Sequence, residues 1–240
     1  MRPLPALAAL AAAALLLSGC ASAVRGTAVA GEVPPSTAPR TTTSAQASTS
    51  APGASGAGVS CDYERSGTAA KPVDLPPATS TDTPAKVVLA LGGGEVIVEL
   101  SPDTPCTGRS FAHLARSGYY DGTPCHRLTT SAGLQVLQCG DPSGTGSGGP
   151  GYVIPDENPD SASAYVPGVV AMANAGPHTG GSQFFIIYGT CDIPPDYAVI
   201  GKTDAAGLAV VTRIAAGGVD SPSGDGPPKT PVTIESAKAS

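Results

Sequence analysis

Arg127 is a candidate for chemistry in this sequence. With His126 it sits between Cys125 and Leu128, in a short strand-like context. There a cation is either a surface charge or a donor placed on purpose. Gln138 and Asn174 are the other polar side chains embedded in apolar strand context. Together Arg, Gln and Asn offer many hydrogen-bond donors and no nucleophile. No G-x-S-x-G elbow occurs, and no paired carboxylates fall in the strands expected near Arg127. The three His residues are isolated and no two Cys form C-x-x-C, so no metal site is expected. The run Gly144 to Gly151, GTGSGGPG, superficially looks like a phosphate cradle. It lacks the Lys-Ser/Thr ending and a following helix, which argues against a nucleotide loop. No cofactor is called for.

The elements that must position these residues are mostly short strands. Val169 to Tyr188 reads as two apolar runs around a turn built from Asn174, Gly176, Pro177 and the Gly180–Gly181 pair. The second run, Phe184 to Tyr188, is aromatic and β-branched and ends at Gly189, as a buried strand would. Lys86 to Leu91 and Glu95 to Leu100 flank three glycines as a hairpin does. Thr104-Pro105 opens a helix that Gly118 ends. Further strands are expected at Pro124–Leu128, Leu134–Gln138, Ala198–Thr203 and Val232–Ile234, with a second helix over Leu208–Ala216. Eight short strands and two helices in this span predict a mainly β fold, an eight-stranded antiparallel closed barrel capped by two α-helices.

Composition sets the surroundings. The formal net charge is −6, and the 13 Lys and Arg are scattered without a basic patch, so no nucleic acid partner is expected. Met1-Arg2 precedes the Ala/Leu run Leu4–Leu17, which is too short to span a bilayer comfortably and fits a signal segment. The following Leu17-Ser18-Gly19-Cys20 resembles a bacterial lipobox. That resemblance implies residues 1–19 as a lipoprotein signal peptide, lipid attachment at Cys20 and a membrane-anchored chain on the extracytoplasmic face. Residues 20–60 are Ala/Ser/Thr/Pro-rich, a composition expected of a disordered tether. Residues 61–83 are expected to be a semi-ordered lead-in, and 84–240 the globular domain. Outside the cytoplasm Cys61, Cys106, Cys125, Cys139 and Cys191 can oxidise. Five thiols allow one or two disulfides and leave at least one cysteine over, with the pairing open.

Taken together, Phe111, Cys125-His126-Arg127-Leu128, Gln138-Cys139-Gly140-Asp141, Met172-Ala173-Asn174-Ala175-Gly176-Pro177 and Gly181-Ser182-Gln183-Phe184-Phe185 resemble a cyclophilin-type peptidyl-prolyl isomerase in order and spacing. The resemblance runs from about Val87 to Ile234. It implies that Arg127 is the catalytic cation, assisting rotation about an X-Pro bond without a covalent intermediate. By the same resemblance Phe185 floors the proline pocket and Val136 and Ile193 wall it. Gln138 and Asn174 orient the substrate backbone, Asn174 through its main chain, and Ala173 lines the adjoining subsite. Three positions depart from the family's usual residues. Gln135 stands where a Phe commonly borders the pocket, Tyr197 where many members have His, and Asp192 where many have Trp. The last departure implies weak binding of cyclosporin-like inhibitors.

The partners implied are proline-containing peptides and exported proteins, with the membrane reached through the N-terminal lipid, and a monomer is expected. The departures at Gln135 and Asp192 motivate an alternative, a weakly active or inactive proline-peptide-binding or chaperone module on the cell surface. A surface adhesin or immunomodulator using the same fold is a third reading.

Overall fold

The computed structural model describes residues 58–82 and 84–240. The signal segment, Cys20 and most of the expected tether lie outside these described residues.

The expected hairpin is present as β2 (Lys86–Leu91) and β3 (Gly94–Leu100), paired from Lys86↔Glu99 to Leu91↔Gly94. Helix α1 (Pro105–Arg116) begins with its proline in the first turn, where the missing N–H costs nothing. Its first free amides are held from a distance: Cys106 N and Thr107 N donate to the Glu157 carboxylate at 3.0 and 2.7 Å. A carboxylate there also complements the helix dipole. Helix α2 (Ala205–Ala216) starts at an Asp204 cap, which accepts from Gly207 N at 2.9 Å. It therefore begins before Leu208, where the apolar spacing starts.

The remaining strands are β1 (Glu64–Arg65), β4 (Thr123–Pro124), β5 (Arg127–Thr129), β6 (Leu134–Cys139), β7 (Tyr152–Val153), β8 (Val169–Met172), β9 (Phe184–Cys191), β10 (Val199–Thr203), β11 (Asp225–Gly226) and β12 (Thr233–Ala239). Apart from the β1–β7 pair they form one ten-stranded antiparallel sheet in the order β11-β5-β6-β9-β8-β10-β3-β2-β12-β4. The sheet is strongly curled but open, which corrects the closed eight-stranded barrel expected from the sequence. The reason lies in the expected strand Pro124–Leu128. It breaks at Cys125-His126, so that β4 pairs with β12 while β5 pairs with β6. The other edge of β5 is taken by β11, and no ladder runs from β5 to β12. β9 also runs past Gly189 to Cys191. A Cβ on Gly189 would collide with the Gln135 side chain, so the glycine permits a close approach and does not end the strand.

Alternation along the strands separates two apolar clusters. Leu128, Leu137, Ile186 and Val170 are paired neighbours across β5, β6, β9 and β8, and all four are fully buried in the main core. Phe184 joins that core, where Phe111, Tyr120 and Phe184 stack edge-on or tilted with centroids 5.1–5.5 Å apart. The next residue, Phe185, belongs to a smaller cluster on the opposite face of the sheet, with Val136, Tyr165, Val169, Ala171, Ile187 and Cys191.

The lead-in lies along α1. A disulfide joins Cys61 to Cys106, and the buried Tyr63 hydroxyl donates to Cys106 O at 2.8 Å. The Arg109 guanidinium reaches back to Ala78 O and Val59 O at 2.6 and 2.8 Å. Lys71 donates to carbonyls just past the helix end, Tyr119 O at 3.3 Å and Asp121 O at 3.2 Å. A second disulfide joins Cys125 to Cys139, and Cys191 is free and buried.

Candidate active site

Four strands bring the chemically interesting residues into one row. Arg127 on β5 pairs with Gln138 on β6, Gln138 pairs with Phe185 on β9, and Phe185 pairs with Ala171 on β8. In-register partners share a face, here the one turned away from the main core. Arg127 is therefore neither an inward charge nor a bare surface one. It lies half-exposed on the rim of the smaller apolar cluster.

Its orientation is set by Asp225, a residue that sequence reasoning missed. Asp225 opposes Thr129, diagonally across from Arg127. Arg127 Nε and Nη2 each donate to an Asp225 carboxylate oxygen at 2.8 Å, and Nη1 donates to Gln138 Oε1 at 3.1 Å. Hydrogen bonding to Asp225 raises the Arg127 pKa, and hydrogen bonding to Arg127 in turn holds the Asp225 carboxyl below its usual range. Both side chains are more than a third exposed, so the pair adds little to stability. Its effect is directional. A guanidinium has five N–H bonds, three of them are engaged here, and two are left to point at a ligand.

The hydrogen-bond chain continues away from Arg127. Gln138 Nε2 donates to Gln183 Oε1 at 3.0 Å, and Gln183 Nε2 donates to Gly146 O and Gly148 O at 2.9 and 3.0 Å. The glycine loop is organised by the fully buried carboxylate of Asp141, which accepts from Gly146 N at 2.8 Å, Gly148 N at 2.9 Å and Ser143 N at 2.8 Å. Burial alone would raise the Asp141 pKa, but the hydrogen bond from the Ser143 hydroxyl and those from these amides outweigh it and hold it low. Loop amides that resemble a phosphate cradle in sequence are thus occupied by the protein's own anion. His126 packs beside this loop with both ring nitrogens unpartnered. Burial lowers its pKa, which disfavours a second charge beside Arg127.

The apolar half of the site is the smaller cluster. Phe185 is 5% exposed and meets Tyr197 edge-on with centroids 5.5 Å apart. Val136 is buried against them, and Ala173, Ile193 and Tyr197 pack around the cluster partly buried. Tyr165 braces this wall. Its hydroxyl donates to Tyr197 O and accepts from Tyr197 N, both at 2.9 Å, and burial pushes its pKa up to about 12.

The site therefore gathers Arg127, Gln138, Phe185, Val136, Ala173, Ile193 and Tyr197. Asn174 stands at the rim with its side chain already engaged: Nδ2 donates to Asp196 O at 2.8 Å and Oδ1 accepts from Gly176 N at 3.2 Å. A peptide is left with its main chain. Gln135 folds away onto β9, where Oε1 accepts from Thr190 N at 2.9 Å, so it does not cover the ring of Phe185. Asp192 is exposed, and its amide donates to Gly133 O at 2.8 Å. Of the residues the sequence did not single out, Gln183 lay within a quoted motif. Asp225 sits in a Ser/Pro/Gly-rich stretch 98 positions from Arg127 and gave no signal.

An antiparallel sheet with two helices that sets one oriented guanidinium in register with a buried aromatic ring defines a class. Residues 86–239 match the family model described as cyclophilin type peptidyl-prolyl cis-trans isomerase/CLD, and the chain belongs to that family. A probable peptidyl-prolyl cis-trans isomerase B of Mycobacterium leprae is 45% identical over 197 residues, covering 75% of this chain and 67% of its own. The protein of that name from Mycobacterium tuberculosis is 45% identical over 195 residues, covering 75% and 63%. This chain thus spans about two thirds of the length of these relatives. Among solved structures, a cyclophilin type peptidyl-prolyl cis-trans isomerase of Cryptosporidium parvum aligns with a TM-score of 0.55 at 27% identity, over 65% of this chain and 97% of that one. A structure of the same protein in the presence of the dipeptide Ala-Pro aligns equally well, at 28% identity.

Proposed function

We propose that this chain isomerises X-Pro bonds of exported proteins, with Arg127 as the catalytic group and a lipid on Cys20 holding it at the outer face of a membrane. The observation that carries the catalytic part is the row Arg127–Gln138–Phe185, a clamped cation in register with the buried ring of Phe185. Rotation about a prolyl amide meets a barrier of about 18–20 kcal/mol, because resonance between nitrogen and carbonyl must be broken. In the twisted state the nitrogen is pyramidal and its lone pair accepts a hydrogen bond it cannot accept when planar. A free Arg127 N–H aimed at that nitrogen binds the twisted state selectively, and each ~1.4 kcal/mol of such selectivity is a tenfold rate gain. The ring rests on Phe185 between Val136, Ile193 and Tyr197. The Asn174 main chain and Gln138 hold the flanking backbone while the carbonyl side turns.

The test is isomerisation of an Ala-Pro peptide followed by NMR exchange. Wild type is expected to accelerate it and Arg127→Ala to abolish most of the gain. Full activity in the variant sinks the mechanism.

A second reading draws on the displaced Gln135. With that side chain on β9 and an exposed Asp at 192, the pocket lacks aromatic cover on one side, which favours a slow isomerase or a proline-binding module. Retained peptide binding without rate enhancement would decide for it. The same open side supports weak inhibition by cyclosporin-like compounds, and nanomolar inhibition would contradict that.

A further inference from the structure

Arg127 is the first residue of β5, a strand of three. β11 pairs with β5 at Leu128 and Thr129 and stops short of Arg127. Among the described strands the main chain of Arg127 therefore has one ladder partner, Gln138 on β6. The segment before it belongs to another part of the sheet. β4 ends at Pro124 and pairs with β12, and Cys125 N still donates on that side, to Val232 O at 2.8 Å.

A strand end held this lightly should fray, because local opening is cheapest where few bonds must break. The chemistry cannot tolerate fraying, since a group misplaced by about 1 Å can cost on the order of a hundredfold in rate. The clamp on the side chain answers only half of this need. Asp225 and Gln138 fix the guanidinium at the tip and leave the root of the side chain to the strand.

The Cys125–Cys139 disulfide stands at that root. Cys139 directly follows Gln138 and Cys125 precedes Arg127 by two, so the bridge closes a loop whose neck is the Arg127↔Gln138 pair. It lies beneath the row on the core side: Cys139 pairs with Phe184, the position next to Gln138↔Phe185. It also spans the break in the sheet. Cys125 hangs from the β12 side and Cys139 ends β6, so a covalent bond joins two edges that no ladder joins. Cys125 and Cys139 are 3% and 0% exposed. Reagents do not reach sulfurs this deep in the closed fold, so the bridge is a fixed brace and not a switch.

We propose that Cys125 and Cys139 are positioning residues for the isomerase reaction. Their disulfide stands in for the missing ladder, holds the root of Arg127 and so keeps its guanidinium aimed. The inference rests on the isomerase reading of Arg127 and adds a condition to it: full activity needs this one bridge.

The test uses the full chain, with kcat and KM read on an Ala-Pro peptide. Cys125→Ala/Cys139→Ala should lower kcat on the order of tenfold and leave KM within about twofold. Cys61→Ala/Cys106→Ala opens the other bridge, which closes the longer span, 45 residues against 14, and so should cost at least as much stability. Its kcat and KM should both stay within about twofold of wild type. In an Arg127→Ala background, removing the Cys125–Cys139 bridge should change the remaining rate by less than about twofold, because the group it positions is already gone. Equal proportional losses with and without Arg127, or equal losses from the two bridges, overturn the brace. A variant that raises KM and keeps kcat overturns it too. If the Cys125→Ala/Cys139→Ala variant does not fold, the wild type decides. A backbone order parameter at Arg127 near the rigid value of about 0.85 supports the brace, and a mobile value toward about 0.6 overturns it. If wild type fails to isomerise the Ala-Pro peptide, the isomerase reading itself falls. The brace is then read in the Arg127 Nε–H NMR signal, which should shift or broaden when the bridge is removed, and an unchanged signal overturns it.

Discussion

Three of the five Arg127 N–H bonds are taken by Asp225 and Gln138 before any substrate arrives, so the cation reaches the pocket already oriented. Arg127→Ala should lower kcat/KM about 100-fold or more, the usual cost of removing one donor that acts on the transition state. Arg127→Lys should not restore it, because a lysine cannot hold a two-point clamp and still present a free N–H in the same plane. Asp225 acts through Arg127. Asp225→Ala should reduce kcat more than it raises KM, and Asp225→Glu should recover part of the loss. The pH profile gives an independent check. The Asp225 carboxyl is held below its unfolded value of about 3.9, so the clamp is complete above that value and is lost only as pH falls through the depressed one. The wild-type profile should therefore show no carboxylate limb above about pH 4, and a limb at pH 5 would refute the clamp. Arg127 and Gln138 stood out in the sequence as polar residues in strand context, whereas their roles and that of Phe185 came only from the family resemblance. Asp225 did not stand out, since a carboxylate in a glycine-rich loop acquires meaning only when β11 pairs with β5.

At the scale of elements, the strands were legible wherever apolar alternation was strong, as in β2, β3 and β6. The two-residue strands β1, β4, β7 and β11 were not, because a pair of residues carries no period. β12 extends to Ala239, well past Ile234, because Ser236, Ala237 and Lys238 pair with β2 while giving no apolar signal. The lead-in is the clearest case. Its prolines suggest extended chain, yet a disulfide, a buried tyrosine and a clamped arginine fix it to α1. The Cys61–Cys106 bridge closes a span of 45 residues. In the chain-entropy account a loop of this length stabilises by about 4 kcal/mol, the top of the usual range. The double variant Cys61→Ser/Cys106→Ser should lose that amount in urea unfolding. A change under about 0.5 kcal/mol, the scatter of neutral surface substitutions, would mean that the lead-in is held by its hydrogen bonds and packing alone. Cys191 offers a contrast in the same protein. It is buried, and burial pushes its thiol up to about 11, so it should resist thiol reagents until the fold opens. Rapid labelling mapped to Cys191 in the native protein would contradict that burial.

For the whole molecule the question is where this site works. Every residue assigned to the site lies within residues 58–240, which carry their own core and both disulfides. Catalysis should therefore be indifferent to the N-terminal segment, and localisation should depend on it. The sequence Leu17-Ser18-Gly19-Cys20 motivates the proposed anchor, and its energetics make a sharp prediction. Each buried methylene of an acyl chain adds about 0.8 kcal/mol, so one chain binds reversibly while two or more hold firmly. Cys20→Ala should move the protein from the detergent phase to the aqueous phase, abolish metabolic labelling by palmitate, and leave kcat/KM on an Ala-Pro peptide within twofold of wild type. The two readouts separate anchor from enzyme. A variant that remains in the detergent phase would show that the attachment lies elsewhere. A variant that partitions as expected but loses activity would show that the site needs the membrane, contrary to a site built wholly from the curled sheet and its loops.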